Sequence, residues 1–441
     1  MASVTRKVLT RLLIYLVRRD SPITKPYFRF LSLVYRKYSR FNLARFGALS
    51  DNDENVIFEH FKSRSVGVYP PRHGKLPSKS SHAEIECPPV RAYLFRENKI
   101  HVNSSCALNT REKIIHGDFK IESKGSNYAS ASLLAHGLAF GLIIRTKIIG
   151  DIPKGIFMGG NGSSNYYHFL IEILPKLDAL LHLKGYESFP LLVNEKVSQI
   201  DTFSQIMKLY APNHELIFLK EDQSYQVEQL VCISSGSYLP FNLSAGIRFQ
   251  ARDFITRPES IAFLRRIALP AMDTIEMAPP PRIFLARKQT LRSYNQEEVH
   301  AALEPLGFVC VYPEDLSFLE QVKLFNSADY IVGPSGAAWS NLAFVSSDTK
   351  ALCWMAEEYG GFAAFSTLAG IVGVDLNYHI YSTGLKSTAA LYSHNYQLDP
   401  LIILEAARAM LKKSPRDSSR QTQGHMYFPS ELRINHASVF F

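Results

Sequence analysis

From residue 150 onward, short apolar runs alternate with longer stretches whose apolar positions recur every three or four residues. The first kind predicts buried strands and the second predicts helices packed on them. In the first half, strands are expected at Gly155–Met158, Pro190–Val193, Leu216–Leu219 and Gln229–Ile233, with a helix over Asn165–Leu183. A break follows at Arg257–Pro281, ending in Pro279, Pro280 and Pro281, which can continue neither a helix nor a central strand. Beyond it the alternation resumes, with strands at Arg282–Ala286, Phe308–Val311, Tyr330–Val332 and Ala351–Trp354. Helices are expected between them at Gln296–Leu306, Phe318–Phe325 and Ala337–Phe344, and a last one at Pro400–Lys413. Strands alternating with helices imply βαβ units on parallel sheets. The expected fold is therefore α/β, in two domains with a cleft between them. Residues 1–50 form a basic amphipathic arm, 51–255 an N-terminal domain, 256–281 a linker or domain edge, 282–413 a C-terminal domain and 414–441 a polar tail.

Charge changes this picture at one end only. The 441 residues carry a formal net charge of +9. Residues 1–45 hold eleven Lys and Arg against Asp20 alone, a formal +10, so the remainder carries −1. The neutral body gives no electrostatic support for a nucleic-acid surface, whereas the arm is a polycation with interleaved aromatics. Its longest apolar run, Leu12–Val17, is far short of the roughly 20 residues that span a bilayer. If residues 4–19 are helical, Val4, Val8, Leu12, Tyr15 and Leu16 share one face beside a basic stripe of Lys7, Arg11 and Arg18. That pattern suits docking in an anionic membrane surface, and equally a helix packed on its own domain. Cys87, Cys106, Cys232, Cys310 and Cys353 are odd in number and never in a Cys-x-x-Cys pair, which points to reduced thiols and a cytoplasmic setting. The sequons at Asn103, Asn161 and Asn242 carry little weight without a signal peptide.

Candidate chemistry gathers in two stretches. On a helical wheel of residues 165–181, Phe169, Leu170, Ile173, Leu174, Leu177, Leu180 and Leu181 share one arc and His168, Glu172 and Lys176 the opposite one. An imidazole and a carboxylate four residues apart are neighbours on a helix, so Glu172 can fix the His168 tautomer and raise its basicity. The spacing fits an exposed surface pair equally well. Gly159, Gly160 and Gly162 lack the third glycine of a dinucleotide fingerprint. In the second half, Arg287 ends a strand and Arg292 lies in the following loop. Two fixed guanidiniums suit a diphosphate. A strand then runs into Gly333, Pro334, Ser335 and Gly336 before a helix, where backbone N–H groups can receive an anion. Asn295 with Glu298, and Ser317 with Glu320, have the spacing of helix capping boxes.

Together, NYYHFLIEILPKL from Asn165, the R-x-x-x-x-R-x-x-N stretch from Arg287, LSFLEQVKLFNSADYIVGPSGA from Leu316 and the SNLAF that follows resemble glycosyltransferase family sixty-one. The resemblance covers roughly residues 150–360. It implies a GT-B architecture, two Rossmann-like domains facing a cleft, and inverting transfer from a nucleotide sugar to a glycan or lipid-linked glycan acceptor, as in capsular polysaccharide synthesis. No cofactor and no metal are expected. The donor would lie against the C-terminal domain, with Arg287 and Arg292 on its diphosphate and Ser335, Gly336, Ala337 and Asn341 on the nucleotide side. Where the family usually has Gly-Pro-His-Gly-Ala-Gly-Leu-Thr-Asn, this chain has Ser335 in place of the His.

An inverting transfer needs a base for the acceptor hydroxyl and positive charge for the departing nucleoside diphosphate. His168 oriented by Glu172 is the expected base. Two other readings are open: a catalytically silent scaffold of a membrane-bound synthesis complex, and a serine hydrolase using Ser335, with Asp375 and His379 downstream. The arm's charge places the expected enzyme at the inner face of the membrane.

Overall fold

The computed structural model describes residues 2–19, 27, 38–45, 55–72, 82–96 and 147–412, except 161, 222, 240–248, 289–290 and 386–387, together with five short strands between 100 and 144. The polar tail, the three sequons and Cys106 lie outside the described residues.

The first half is built on a mixed sheet. Its parallel part runs in the order Leu216–Leu219, Leu191–Asn194, Ile148–Phe157, Ser224–Ile233. Leu191–Asn194 is buried at every position, as expected of a strand covered on both faces. The sheet then continues through mainly antiparallel pairings, beginning with Val90–Phe95 and Ile100–Val102 against Ser224–Ile233, with Tyr38–Arg45 parallel to Lys113–His116 further on. Counting the parallel strands in chain order gives 3-2-1-4, so connections leave Ile148–Phe157 and Ser224–Ile233 in opposite directions.

The second half has five parallel strands in the order Val309–Val311, Arg282–Leu285, Tyr330–Pro334, Lys350–Ala356, Asp375–Tyr381. In chain order this is 2-1-3-4-5, with its switch between Arg282–Leu285 and Tyr330–Pro334. Crevices open at the carboxyl ends of strands where the order reverses, and ligands of such sheets bind there. The edge strand Asp375–Tyr381 is an addition to the expected set. Its burial alternates, so it shows no continuous apolar run.

The two halves share one hydrophobic core. Phe169, Leu170 and Phe203 from the first half belong to the same cluster as Phe318, Trp339, Phe344 and Phe365 from the second. Polar ties reinforce it. The Tyr166 hydroxyl donates to Asn341 Oδ1 at 2.8 Å, and the Phe318 amide donates to Gln205 Oε1 at 2.7 Å. The stretch expected as a linker carries a 15-residue helix, Pro258–Met272, with Pro258 in its first turn and Ile261, Phe263, Leu264 and Ala268 buried. From it Arg265 donates to the carbonyls of Ala343 and Val345 at 2.8 and 3.0 Å, capping the end of Ala337–Phe344. That segment is a 3-10 helix rather than an α-helix.

The capping residues divide. Ser317 accepts from the Glu320 amide and the Glu320 carboxylate accepts from the Ser317 amide, the reciprocal box the spacing predicts. Asn295 does not cap its helix; its side chain bonds Glu298 and the backbone of Leu398 instead, tying the helix to the later chain.

Residues 2–19 form the expected amino-terminal helix, Ala2–Arg19, which packs on the strands Leu133–His136 and Phe140–Ile144. Leu13 is fully buried, while Val8, Leu12 and Tyr15 are 60%, 42% and 50% exposed. The helix therefore docks on the body and still presents apolar side chains outward, spaced four and three residues apart. Among the described residues no helix is long and apolar enough to cross a membrane.

Candidate active site

The first site follows the strand Ile148–Phe157. Residues 162–165 lead into a helical run in which Asn165 caps Tyr166–His168, accepting from the Tyr167 amide at 3.0 Å. Phe169–Ile173 widens into a π-helical turn before Lys176–Leu180. His168 Nδ1 lies 3.1 Å from Glu172 Oε2, and both side chains are buried, at 3% and 10% exposure. The polar arc of this run thus faces inward, which the wheel alone could not distinguish from a solvated surface. Leu181, placed on the apolar arc, is 61% exposed because the helix ends at Leu180 and the chain turns away.

Local sequence explains how a buried imidazole is accommodated. Gly162 has a φ of +67°, and a Cβ there would sit 2.7 Å from His168 Cδ2. Only glycine meets both demands. Gly162 therefore serves close backbone approach to the ring. Among the described residues Glu172 Oε1 is buried with no hydrogen-bond partner, while its backbone carbonyl accepts from Ser235 Oγ at 2.8 Å. Ser235 follows Ser224–Ile233, so residues after both switch-point strands meet here. Lys176 donates to the Gly159 carbonyl at 2.9 Å, and burial pulls its pKa down to about 8.

The second site lies at the other switch point. Arg287 comes just after Arg282–Leu285 and Ser335 just after Tyr330–Pro334. The Arg287 guanidinium donates to the Ser335 carbonyl and lies against Gly336, where any Cβ would collide with it. Gln296 fixes the Arg287 backbone, accepting from its amide at 2.7 Å and donating to its carbonyl at 3.2 Å. Arg292 has a φ of +56°, the only non-glycine in the left-handed region among the described residues. Its guanidinium sits over the Tyr392 ring and donates to the Tyr359 hydroxyl at 3.4 Å. Both arginines line one cavity with Ser335, Tyr359, Tyr381, Thr383, His394 and Tyr396. Tyr294, Tyr396 and Tyr381 stack in series, with centroids 5.2 and 4.4 Å apart. A neighbouring polar cleft of about 590 Å³ shares Thr383, His394 and Tyr396.

The electrostatics of this cavity are unbalanced. Burial, and after it the like charge of Arg292, lower the Arg287 pKa from its ordinary value. Among the described residues neither arginine forms an ion pair with a carboxylate. A desolvated guanidinium beside a like charge is costly, and an anion bound between the two offsets that cost.

The remaining expected residues separate. Ser335 lines the cavity. Asn341 is fully buried, with its side chain committed to Tyr166 and Gln321, and it joins the two halves rather than lining the cavity. Ala337 packs against the shared core. The Ser335 amide donates to the Trp354 carbonyl at 2.9 Å, which leaves it unavailable to an anion. That hydrogen bond extends the pairing of Tyr330–Pro334 with Lys350–Ala356 by one residue.

The hydrolase reading loses its acid. Asp375 is level with Lys350 and Tyr330, whereas Ser335 lies five residues beyond Tyr330, about 16 Å further along the strands. Asp375 also faces Arg72, at 3.7 Å. The tyrosines, Thr383 and His394 line the arginine cavity and are missed by sequence reasoning. Most come from the edge strand and the chain after it, where no motif marks them.

Residues 166–352 match the family model described as Glycosyltransferase 61. The matched stretch holds His168, Glu172, both arginines and the Ser335–Asn341 segment, and it supports glycosyltransferase activity in general. No curated protein gives a significant match to the chain.

Proposed function

We propose that the protein is an inverting glycosyltransferase of GT-B type that moves a sugar from a nucleotide sugar to a glycan or lipid-linked glycan acceptor in surface polysaccharide synthesis. The observation that carries this reading is the pair of arginines, Arg287 and Arg292, without carboxylate partners among the described residues, at a switch point and beside a polar cleft. The diphosphate takes the two guanidiniums and the nucleoside or sugar takes the cleft, whose stacked tyrosines and hydroxyls suit a ring with polar edges. As the glycosidic bond to the donor breaks, negative charge develops on the leaving diphosphate, and the fixed cations stabilise it without reorganising. Electrostatics of this kind need no metal ion in the transfer step. His168 takes the acceptor hydroxyl proton, and Glu172 holds the ring and stabilises the imidazolium that forms.

The amino-terminal helix supports a peripheral position at the cytoplasmic face of the membrane. Its outward Val8, Leu12 and Tyr15 flank exposed Arg11, within an arm of formal charge +10, so apolar insertion and attraction to anionic lipid act together.

A thermal-shift panel of nucleotide sugars tests the donor reading. The true donor at 100 times its dissociation constant adds about 2.7 kcal/mol of stability, and Arg287→Ala, binding about ten- to hundredfold more weakly, cuts that to about 0.4–1.4 kcal/mol at the same concentration. If no nucleotide stabilises the protein while it still floats with liposomes, the silent-scaffold reading replaces this one. Leu12→Asp is expected to release the protein from anionic liposomes with no loss of donor binding; full retention would remove the helix from the membrane contact.

A further inference from the structure

A second cluster of ligating side chains lies outside both sites. His60, on the strand Val56–Phe61, Asp178, in the helix Lys176–Leu180, and His182, just beyond that helix, each offer a ligand atom within 4.8 Å of the other two. His60 Nε2 and Asp178 Oδ2 are 3.1 Å apart, and both side chains are only 8% exposed. Two ligands at zinc bond lengths of about 2.0–2.1 Å in a tetrahedral arrangement stand about 3.3 Å apart, so this pair is already at coordination spacing.

The surroundings prepare the other atoms for the same task. His182 Nδ1 lies 2.8 Å from the Asp178 carbonyl, which can only accept, so in the neutral ring Nδ1 carries the proton and Nε2 the lone pair. A backbone carbonyl holding the non-ligating nitrogen is the usual outer support of a metal-bound histidine. Asp178 Oδ1 accepts from Arg266 at 2.8 Å, which orients the carboxylate and leaves Oδ2 toward His60. The imidazoles of His60 and His182 face each other with centroids 4.9 Å apart, and His182 is exposed, which gives an ion a route in.

We propose that His60, Asp178 and His182 bind one divalent transition-metal ion, of which Zn²⁺ best suits two imidazoles and a carboxylate. The fourth position falls to water. The site is separate from the glycosyl-transfer chemistry and does not depend on the donor reading. Its role is structural: it ties the strand Val56–Phe61 to the helical run that carries His168 and Glu172, joining residues 118 positions apart in sequence. Among the described residues Arg266 is the cation paired with the cluster, and at 61% side-chain exposure its charge is largely borne by solvent.

The full chain, stripped with a chelator and then titrated with Co²⁺, tests this directly. One equivalent should bind with the intense visible d–d absorption of a tetrahedral site, and Zn²⁺ should displace it. His182→Ala removes an exposed side chain and leaves the fold intact; it is expected to weaken Zn²⁺ binding by about 100-fold and to erase the Zn²⁺-dependent rise in Tm. Should the wild-type chain give no such band and no Zn²⁺-dependent Tm rise, or should His182→Ala bind Zn²⁺ as the wild type does, the cluster is an ion network of His60, Asp178 and Arg266 and the proposal fails.

Discussion

The two switch-point sites solve opposite electrostatic problems. In the first half a base meets an acid: His168 Nδ1 and Glu172 Oε2 are buried together at 3.1 Å, a hydrogen-bonding distance, and each finds its partner within the chain. In the second half two bases meet each other, and Arg287 with Arg292 has no carboxylate partner among the described residues. A hydrogen-bonded acid–base pair has its partner without ligand, whereas two cations without a carboxylate leave room for an anion. On the proposed function the first pair carries the proton chemistry and the second the binding of the leaving group, which makes the two separable by mutation.

The largest effect is expected from His168→Ala, which on this division lowers kcat by about 10²- to 10⁴-fold, the range for loss of a general base. Affinity for the nucleoside diphosphate, measured by calorimetry, stays unchanged. Near-normal turnover with the true substrates would end the assignment of the base. Next comes Arg287→Ala, whose lost charge-assisted hydrogen bonds weaken diphosphate affinity by about ten- to hundredfold. Equal affinity for the variant would show that the cation pair is not the donor site. The smallest effect separates charge from backbone at Arg292. Its left-handed φ favours glycine, so Arg292→Gly should be about 1 kcal/mol more stable to denaturant than Arg292→Ala, while both lose the same diphosphate affinity. Identical stabilities would mean that the backbone relaxes when the guanidinium is removed.

Much of this contrast is legible in the sequence, because its parts depend on local spacing. Parallel strands announce themselves as apolar runs, the i, i+4 spacing puts His168 beside Glu172, and Ser317 with Glu320 forms its box from residues three apart. What escapes is decided by tertiary packing. The same spacing fits a solvated pair, and burial follows only from the packing of Gly162 on the His168 ring and of Ser235 on the Glu172 backbone. Asn341 looks like part of a nucleotide loop until Tyr166, 175 positions away, takes its side-chain oxygen. Tyr381 and Tyr396 line the arginine cavity from an edge strand with alternating burial and the chain beyond it, a pattern that gives no hint of a site. The partnership of His60 with Asp178 is likewise a product of the fold alone.

The core that runs without interruption from Phe169 to Phe365 has a mechanical consequence. A hinge needs a seam where few side chains interlock, and here Arg265, Tyr166 and Gln205 are fastened across the line where one would lie. Rigid-body opening would strip apolar surface from both halves at once. The same interlocking makes the two halves one cooperative unit: neither can melt first without exposing the interior of the other.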